Sequence, residues 1–130
     1  MMARDRTRPP TRMTQLDEAL QTFLDHDGVR NVLLVGTDGL LVRHLGIDAG
    51  PDIDRVAARV PVVFTAAEAL SRAVGSGNAS TAVLELGASV AIVSGVSAEL
   101  LLAVLVGPGV GFAGLLRDIR RDRGRIAGLL

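Results

Sequence analysis

The 130-residue sequence has no cysteine, lysine, tryptophan or tyrosine, and its only aromatic residues are Phe23, Phe64 and Phe112. The missing cysteines exclude disulfides, thiolate catalysis, iron–sulfur clusters and cysteine-based zinc sites. The missing lysines exclude Schiff-base chemistry and the phosphate-gripping lysine of a nucleotide-binding loop. Scarce aromatics leave no stacking platform for nucleic acid. The longest strictly aliphatic run, Leu100 to Val106, is far short of the roughly 20 residues that span a bilayer. The Arg-rich start leads into no apolar segment and is not a secretory signal. A soluble, cytoplasmic chain is expected, with no membrane insertion and no nucleic-acid partner.

What is present describes a single packed domain. Hydrophobic residues make up 48% and charged residues 22%, enough for a real core and too apolar for a disordered chain. The net charge of zero hides a segregation. Residues 1–12 carry four Arg and one Asp, residues 117–130 carry five Arg and two Asp, and the stretch between holds five Arg against eleven acids. Residues 1–12, ending in Pro9-Pro10, read as a mobile basic tail before a domain at 13–130. The basic last helix is expected either to be a solvated face or to lie against the acids of the first, Asp17, Glu18, Asp25 and Asp27.

Periodicity predicts eight elements. A helix runs from about Thr14, as N-cap, to Asp27, and Gly28 stops it. Val29–Gly36 and Leu40–Leu45 form a hairpin around Thr37-Asp38-Gly39. A long helix covers about Asp52–Val74, with Ile53, Val56, Ala57, Val60, Val63, Phe64, Ala67, Leu70 and Val74 on its inward arc. Pro61 is expected to kink or divide it. Strands follow at Ala79–Leu86, Ser89–Val93 and Leu100–Val106, the last central because it is apolar throughout. A helix from about Val110 to Leu129 closes the chain. The fold class is a three-layer α+β domain, order α-β-β-α-β-β-β-α, with a mainly antiparallel five-stranded sheet between helices.

The chemistry-bearing residues are few. Gly109-Val110-Gly111-Phe112-Ala113-Gly114 matches G-x-G-x-x-G, but no strand and acid follow as a dinucleotide fold requires. Its glycines, with Pro108, serve the turn from strand to helix. His26 and His44 have no histidine or cysteine company for a metal, and His44 is expected to point to solvent or a partner. His26, beside Asp25 and Asp27, is placed near a helix end where the terminal dipole favours its charged form. Asp48, Asp52 and Asp54 suit a helix start rather than paired acid–base work. Ser71, Ser80 and Ser94 lack a nucleophile elbow. No cofactor, metal or catalytic residue is expected.

Two features point instead to association. The outward arc of the long helix carries Ala58, Val62, Ala66, Ala69 and Ala73 where a merely solvated face would carry more charge. The strand containing Ser80, Thr81, Ala82, Val83, Leu84 and Glu85 would be an open edge with few charges, an association hazard unless paired. Arg55, Arg59 and Arg72 on the same helix are candidates for contact with a partner, or ordinary surface charges.

The chain resembles the Roadblock/dynein light-chain family, including bacterial members that partner Ras-like small GTPases. The resemblance runs from Leu16 through Val29-Arg30-Asn31-Val32-Leu33-Leu34-Val35 and Thr37-Asp38-Gly39-Leu40. It continues through Gly46-Ile47-Asp48, the Ala-rich long helix and Leu100-Leu101-Leu102-Ala103-Val104-Leu105, covering roughly residues 14–126. Pro61 and the glycine-rich loop at 107–111 depart from the family pattern. The resemblance implies a profilin-like Roadblock fold and a homodimer whose long helices pack together and whose third strands pair edge to edge. It implies a non-catalytic regulator or scaffold that binds a Ras-like small GTPase and acts on its nucleotide state, at most as an activator. The alternatives are a small-molecule-sensing module with a pocket between sheet and helices, or a purely structural dimerisation scaffold.

Overall fold

The computed structural model describes residues 12–47 and 50–130. Its elements are α1 (Arg12–Leu24), β1 (Val29–Gly36), β2 (Leu41–Gly46), α2 (Ile53–Ala73), β3 (Thr81–Leu86), β4 (Ser89–Gly95), β5 (Leu100–Val106) and α3 (Ala113–Ala127). The five strands form one sheet in the order β2-β1-β5-β4-β3, with every neighbouring pair antiparallel. The predicted element order and three-layer architecture are those of the structure.

Strand alternation builds two cores, because successive side chains point to opposite faces. Val32, Leu34, Ile92, Leu102 and Val104 meet Leu16, Leu20 and Phe23 of α1 and Leu115, Ile119 and Ile126 of α3. Leu33, Val35, Val93, Leu101 and Ala103 meet Ala57 and Val60 of α2. The central place expected for β5 follows from these pairings, since it sits between β1 and β4 with helices over both faces. Gly28 ends the turn after α1 at φ +82, and a side chain there would also press on Val110.

Several boundaries differ from the sequence reading. Helix α1 starts at Arg12, so Thr14 lies inside it rather than at its cap, and it ends at Leu24 because Asp25–Gly28 form a turn. Strand β2 begins at Leu41, one residue late, because the turn bond from Leu40 N–H to Asp38 Oδ1 at 3.0 Å holds Leu40 in the loop. Strand β3 begins at Thr81 rather than Ala79, whose N–H is taken by Glu68 at 2.9 Å. Strand β4 runs on to Gly95, because its last residues are bonded to Ser80. Helix α3 starts at Ala113, since Val110 and Phe112 pack against the core from the preceding loop.

Pro61 does not divide α2, which stays one 21-residue helix. The imide removes a single N–H donor, and the bonds on either side carry the helix through. Leu70 and Val74, predicted inward, are 65% and 66% exposed. Leu70 sits at the margin of the inward arc, and Val74 lies beyond the last helical turn. The basic tail (except Arg12) and Asp48 fall outside the described residues. No described helix is long and apolar enough to cross a membrane.

Candidate interaction surface

One helix cannot cover one face of this sheet. Five strands about 4.8 Å apart span roughly 19 Å, whereas a helix with its side chains is about 10 Å across. The α1–α3 face has two helices and the opposite face has only α2. What α2 leaves uncovered is an apolar cleft of about 570 Å³ along its flank, lined by Val56, Val60, Val63, Leu84, Ala91 and Leu105. Arg55 and Arg59 also line it. Asp52 caps α2, its Oδ1 accepting from Arg55 N–H at 3.2 Å, and so fixes where the helix begins above this cleft.

The outward arc of α2 lies beside the cleft. Ala58, Val62, Ala66, Ala69 and Ala73 are all exposed, Val62 at 61%, and Leu70 extends the apolar surface they make. Arg55 lies within this arc and Arg59 on its flank at helical spacing. Arg72 is already engaged, its Nη1 lying 3.3 Å from Glu68 Oε2 one turn back.

Strand β3 is an edge of the sheet. Leu84 and Leu86 face the cleft. Thr81 turns to the other face, where its hydroxyl lies 3.1 Å from the buried Ser94 hydroxyl. Arg123 of α3 joins them, its Nη1 donating to Ser80 O at 2.9 Å and Ser94 Oγ at 3.1 Å. Ser80 therefore stands just outside the strand and anchors its start. Glu68 and Ser71 hold the preceding loop to α2, Ser71 Oγ donating to Gly77 O at 2.7 Å. The structure thus brings the α2 face and the β3 edge to the same side of the molecule, with Val83 and Leu86 exposed on the strand.

The histidines lie after the first helix and on the second strand as the sequence placed them, but both are engaged within the fold. His44 does not simply point outward; its Nε2 bonds at 2.8 Å to Oδ1 of the buried Asn31. Burial, aided by the neighbouring Arg43 charge, holds its pKa below the ordinary histidine value. His26 reaches across to α3 and meets Asp118 Oδ2 at 2.9 Å. Helix α3 lies against α1, where Glu18 and Arg125 line one cleft, but Asp17 is not paired with it and takes a two-pronged bond from Arg43 of β2, at 2.5 and 2.8 Å. That guanidinium lowers the Asp17 pKa through its hydrogen bonds. Arg117 and Arg121 pair within α3, with Asp118 and Asp122. The glycines at 109–114 form the loop into α3, with Gly109 at φ +73. Among the described residues no three His, Asp or Glu side chains are grouped to hold a metal ion.

Sequence comparison decides the family. The profile of the Roadblock/LC7 domain matches residues 15–106. The chain belongs to the Roadblock/LC7 family. Solved structures agree with this Roadblock/LC7 fold. An MglB in a tetrameric arrangement superposes with a TM-score of 0.83 at 18% identity, over 94% of this chain and 92% of that one. The gliding protein MglB of Thermus thermophilus gives 0.82 at 18% identity, over 94% and 93%. A Roadblock/LC7 domain from Streptomyces avermitilis gives 0.75 at 21% identity, over 86% and 94%. No curated protein matches the chain in sequence. The Roadblock/LC7 domain here presents a sheet with one incompletely covered face.

Proposed function

We propose that this chain is a non-catalytic homodimeric regulator that binds a Ras-like small GTPase in the cytoplasm and acts on its nucleotide state. The observation that carries the homodimer is the half-covered sheet face beside an exposed apolar helix face and an open strand edge. A second copy placing its own α2 against Ala58, Val62, Ala66, Ala69 and Ala73 would cover the helix face and the strand edge with one contact, leaving the cleft rim at the start of α2, with Arg55 and Arg59, open to another partner. Its β3 would pair with residues 81–85, and Ser80 would lie at the end of that pairing. Membership of the Roadblock/LC7 family supports the GTPase as partner. The tetrameric arrangement of one MglB supports self-association in this fold.

Arg55 and Arg59, on the rim of the cleft, are the contacts we assign to the GTPase. Arg72, paired with Glu68, is a weaker choice than the sequence made it. Regulation here needs no arginine finger, since an activator can also work by ordering the GTPase's own residues. The test is binding to the Ras-like small GTPases of the same organism, each loaded with GDP or with a non-hydrolysable GTP analogue. The reading expects a preference of roughly tenfold or more, about 1.4 kcal/mol, reduced by Arg55→Ala and Arg59→Ala. Equal affinity for both states would leave a scaffold only, and no binding would remove the GTPase altogether.

A further inference from the structure

Two arginines of this chain grip a carboxylate with the same edge of the guanidinium, Nε and Nη2 together. Arg43 takes Asp17 in this way, and Arg121 takes Asp122 at 3.0 and 2.9 Å. The two donors on that edge lie parallel, spaced to meet the two oxygens of one carboxylate. Arg123 offers the same edge and has no carboxylate on it. Its bonds all come from Nη1, which donates to Ser80 O at 2.9 Å and Ser94 Oγ at 3.1 Å, with Thr81 Oγ1 at 3.5 Å. Among the described residues nothing bonds its Nε or Nη2, and neither is sealed from solvent as Asn31 Nδ2 is.

Neutral contacts fix where that edge stands. Ser94 is fully buried on a strand whose preceding residues, Ile92 and Val93, belong to the core. Its hydroxyl serves Arg123, Ser80 and Thr81 rather than packing. The guanidinium is thereby held before any ligand arrives, which lowers the entropic cost of binding one.

Arg123 lines a cleft of about 670 Å³ at the end of the sheet, between the second half of α2 and α3, within the ordinary range for a small-molecule site. Phe64, Val96 and Leu101 give it an apolar wall, and Glu68 is the other charged residue of its lining. Gly95 lets the Phe64 ring lie against the end of β4, since a Cβ there would stand 3.2 Å from Phe64 Cζ. Glu68 is engaged by Ala79 N–H and by Arg72, not by Arg123. A second negative charge on a ligand would face that carboxylate, so the cleft suits a single charge on an apolar body. It has no residue in common with the cleft along α2. Of the proposed dimer contact it includes only Ser80, at the end of the strand pairing.

We propose that this cleft binds a small monocarboxylate with a compact apolar body. Its two oxygens accept from Arg123 Nε and Nη2, and its body lies against Phe64 and Leu101. Ser80 and Ser94 are the positioning residues, holding the guanidinium through Nη1. The test needs neither the GTPase nor the dimer.

It is titration of the full-length, isotope-labelled chain with sodium benzoate, read by NMR at Arg123 Nε–H and at the amides of Gly95, Ser97 and Gly124. Saturable shifts at these positions are expected, with neutral benzamide giving none of comparable size and sodium phosphate binding more weakly. Arg123→Lys keeps a charge and a donor for Ser80 and Ser94 but lacks the two-pronged edge. It should weaken benzoate by roughly tenfold, as loss of a hydrogen bond to a charged group does. Glu68→Gln, which keeps an oxygen for Ala79 N–H, should tighten benzoate and decides the matter if Arg123→Lys does not fold. Absence of saturable shifts at these residues would overturn the proposal. So would benzamide or phosphate binding as tightly as benzoate, or benzoate affinity unchanged in the folded variants.

Discussion

His44 shows how a residue's surroundings, rather than its type, set its contribution. In the unfolded chain it takes up a proton near pH 6.5. In the fold, burial and the Arg43 charge push that pKa down, while its Nε2 is committed to Asn31. The unfolded state therefore binds more protons than the folded state below about pH 6.5. Its contribution to stability is complete above that pH and is lost as pH falls through the lower, folded value. Urea denaturation at pH 7.5 and pH 5.5 should show a lower midpoint at the acid pH, and His44→Gln should reduce the difference. An equal pH dependence in wild type and variant would show that His44 is free to protonate in place. Asp17, held low by Arg43, contributes in the same direction further down, its part lost as pH falls below the ordinary carboxylate range. That ion pair is about one-third exposed on both sides, so solvent screening keeps it to about 1 kcal/mol or less. Neither pairing was legible in the sequence, because His44–Asn31 and Asp17–Arg43 join residues 13 and 26 positions apart.

At the scale of elements, the strands were the most legible part. β1 and β5 are apolar runs long enough for a buried strand and bounded by turn residues, and both appear with the predicted ends. Helix ends were less legible, since a terminus depends on what the next residues do in three dimensions. Val110 leaves the helix to pack near Gly28, and Ala79 leaves the strand to bond Glu68. The long helix was legible in extent but not in its margin, because period alone cannot say how wide a stripe a five-stranded sheet will bury. Only Ala57 and Val60 of its 21 residues are buried. Leu70 and Val62 are left on the outside in one patch with the exposed alanines, and it is a contiguous apolar patch, not a single exposed side chain, that marks an interaction surface. This sets the prediction for the helix. Ala66→Arg and Ala69→Arg should each halve the mass measured by light scattering at micromolar concentration, since a guanidinium buried at a helix contact has no counter-charge there. The fold itself should survive both changes, as the positions are exposed in the single chain. A dimeric mass in both variants would place the contact elsewhere.

At the scale of the whole molecule, the helix face and the strand edge are not independent. The β3 edge lies beside the uncovered part of the sheet, so a contact made through one carries the other with it. Closed symmetry requires such a contact to be self-complementary: each copy presents the same patch to the other. Two β3 strands meeting antiparallel satisfy that requirement, and the paired edges would make one ten-stranded sheet from two five-stranded ones. The candidate residues were legible here as a composition, few charges on an edge strand and many alanines on a helix. Their adjacency was legible only through the family resemblance and not from the residues themselves, because it arises from the crossover that puts β3 outside β4. Val83, 41% exposed near the middle of β3, tests the strand without touching the helix. Val83→Lys would set like charges close together across the two-fold axis, a loss of up to about 1 kcal/mol per pair. The dimer dissociation constant from sedimentation equilibrium should therefore rise by roughly fivefold, while Val42→Lys on β2, the other edge of the sheet and equally exposed, leaves it unchanged. If Ala66→Arg separates the copies and Val83→Lys does not weaken them, the helices pack without the strands and the sheet is not continuous. If Val42→Lys weakens the dimer and Val83→Lys does not, the contact lies at the β2 edge, and the half-covered face must be filled by something other than a second copy.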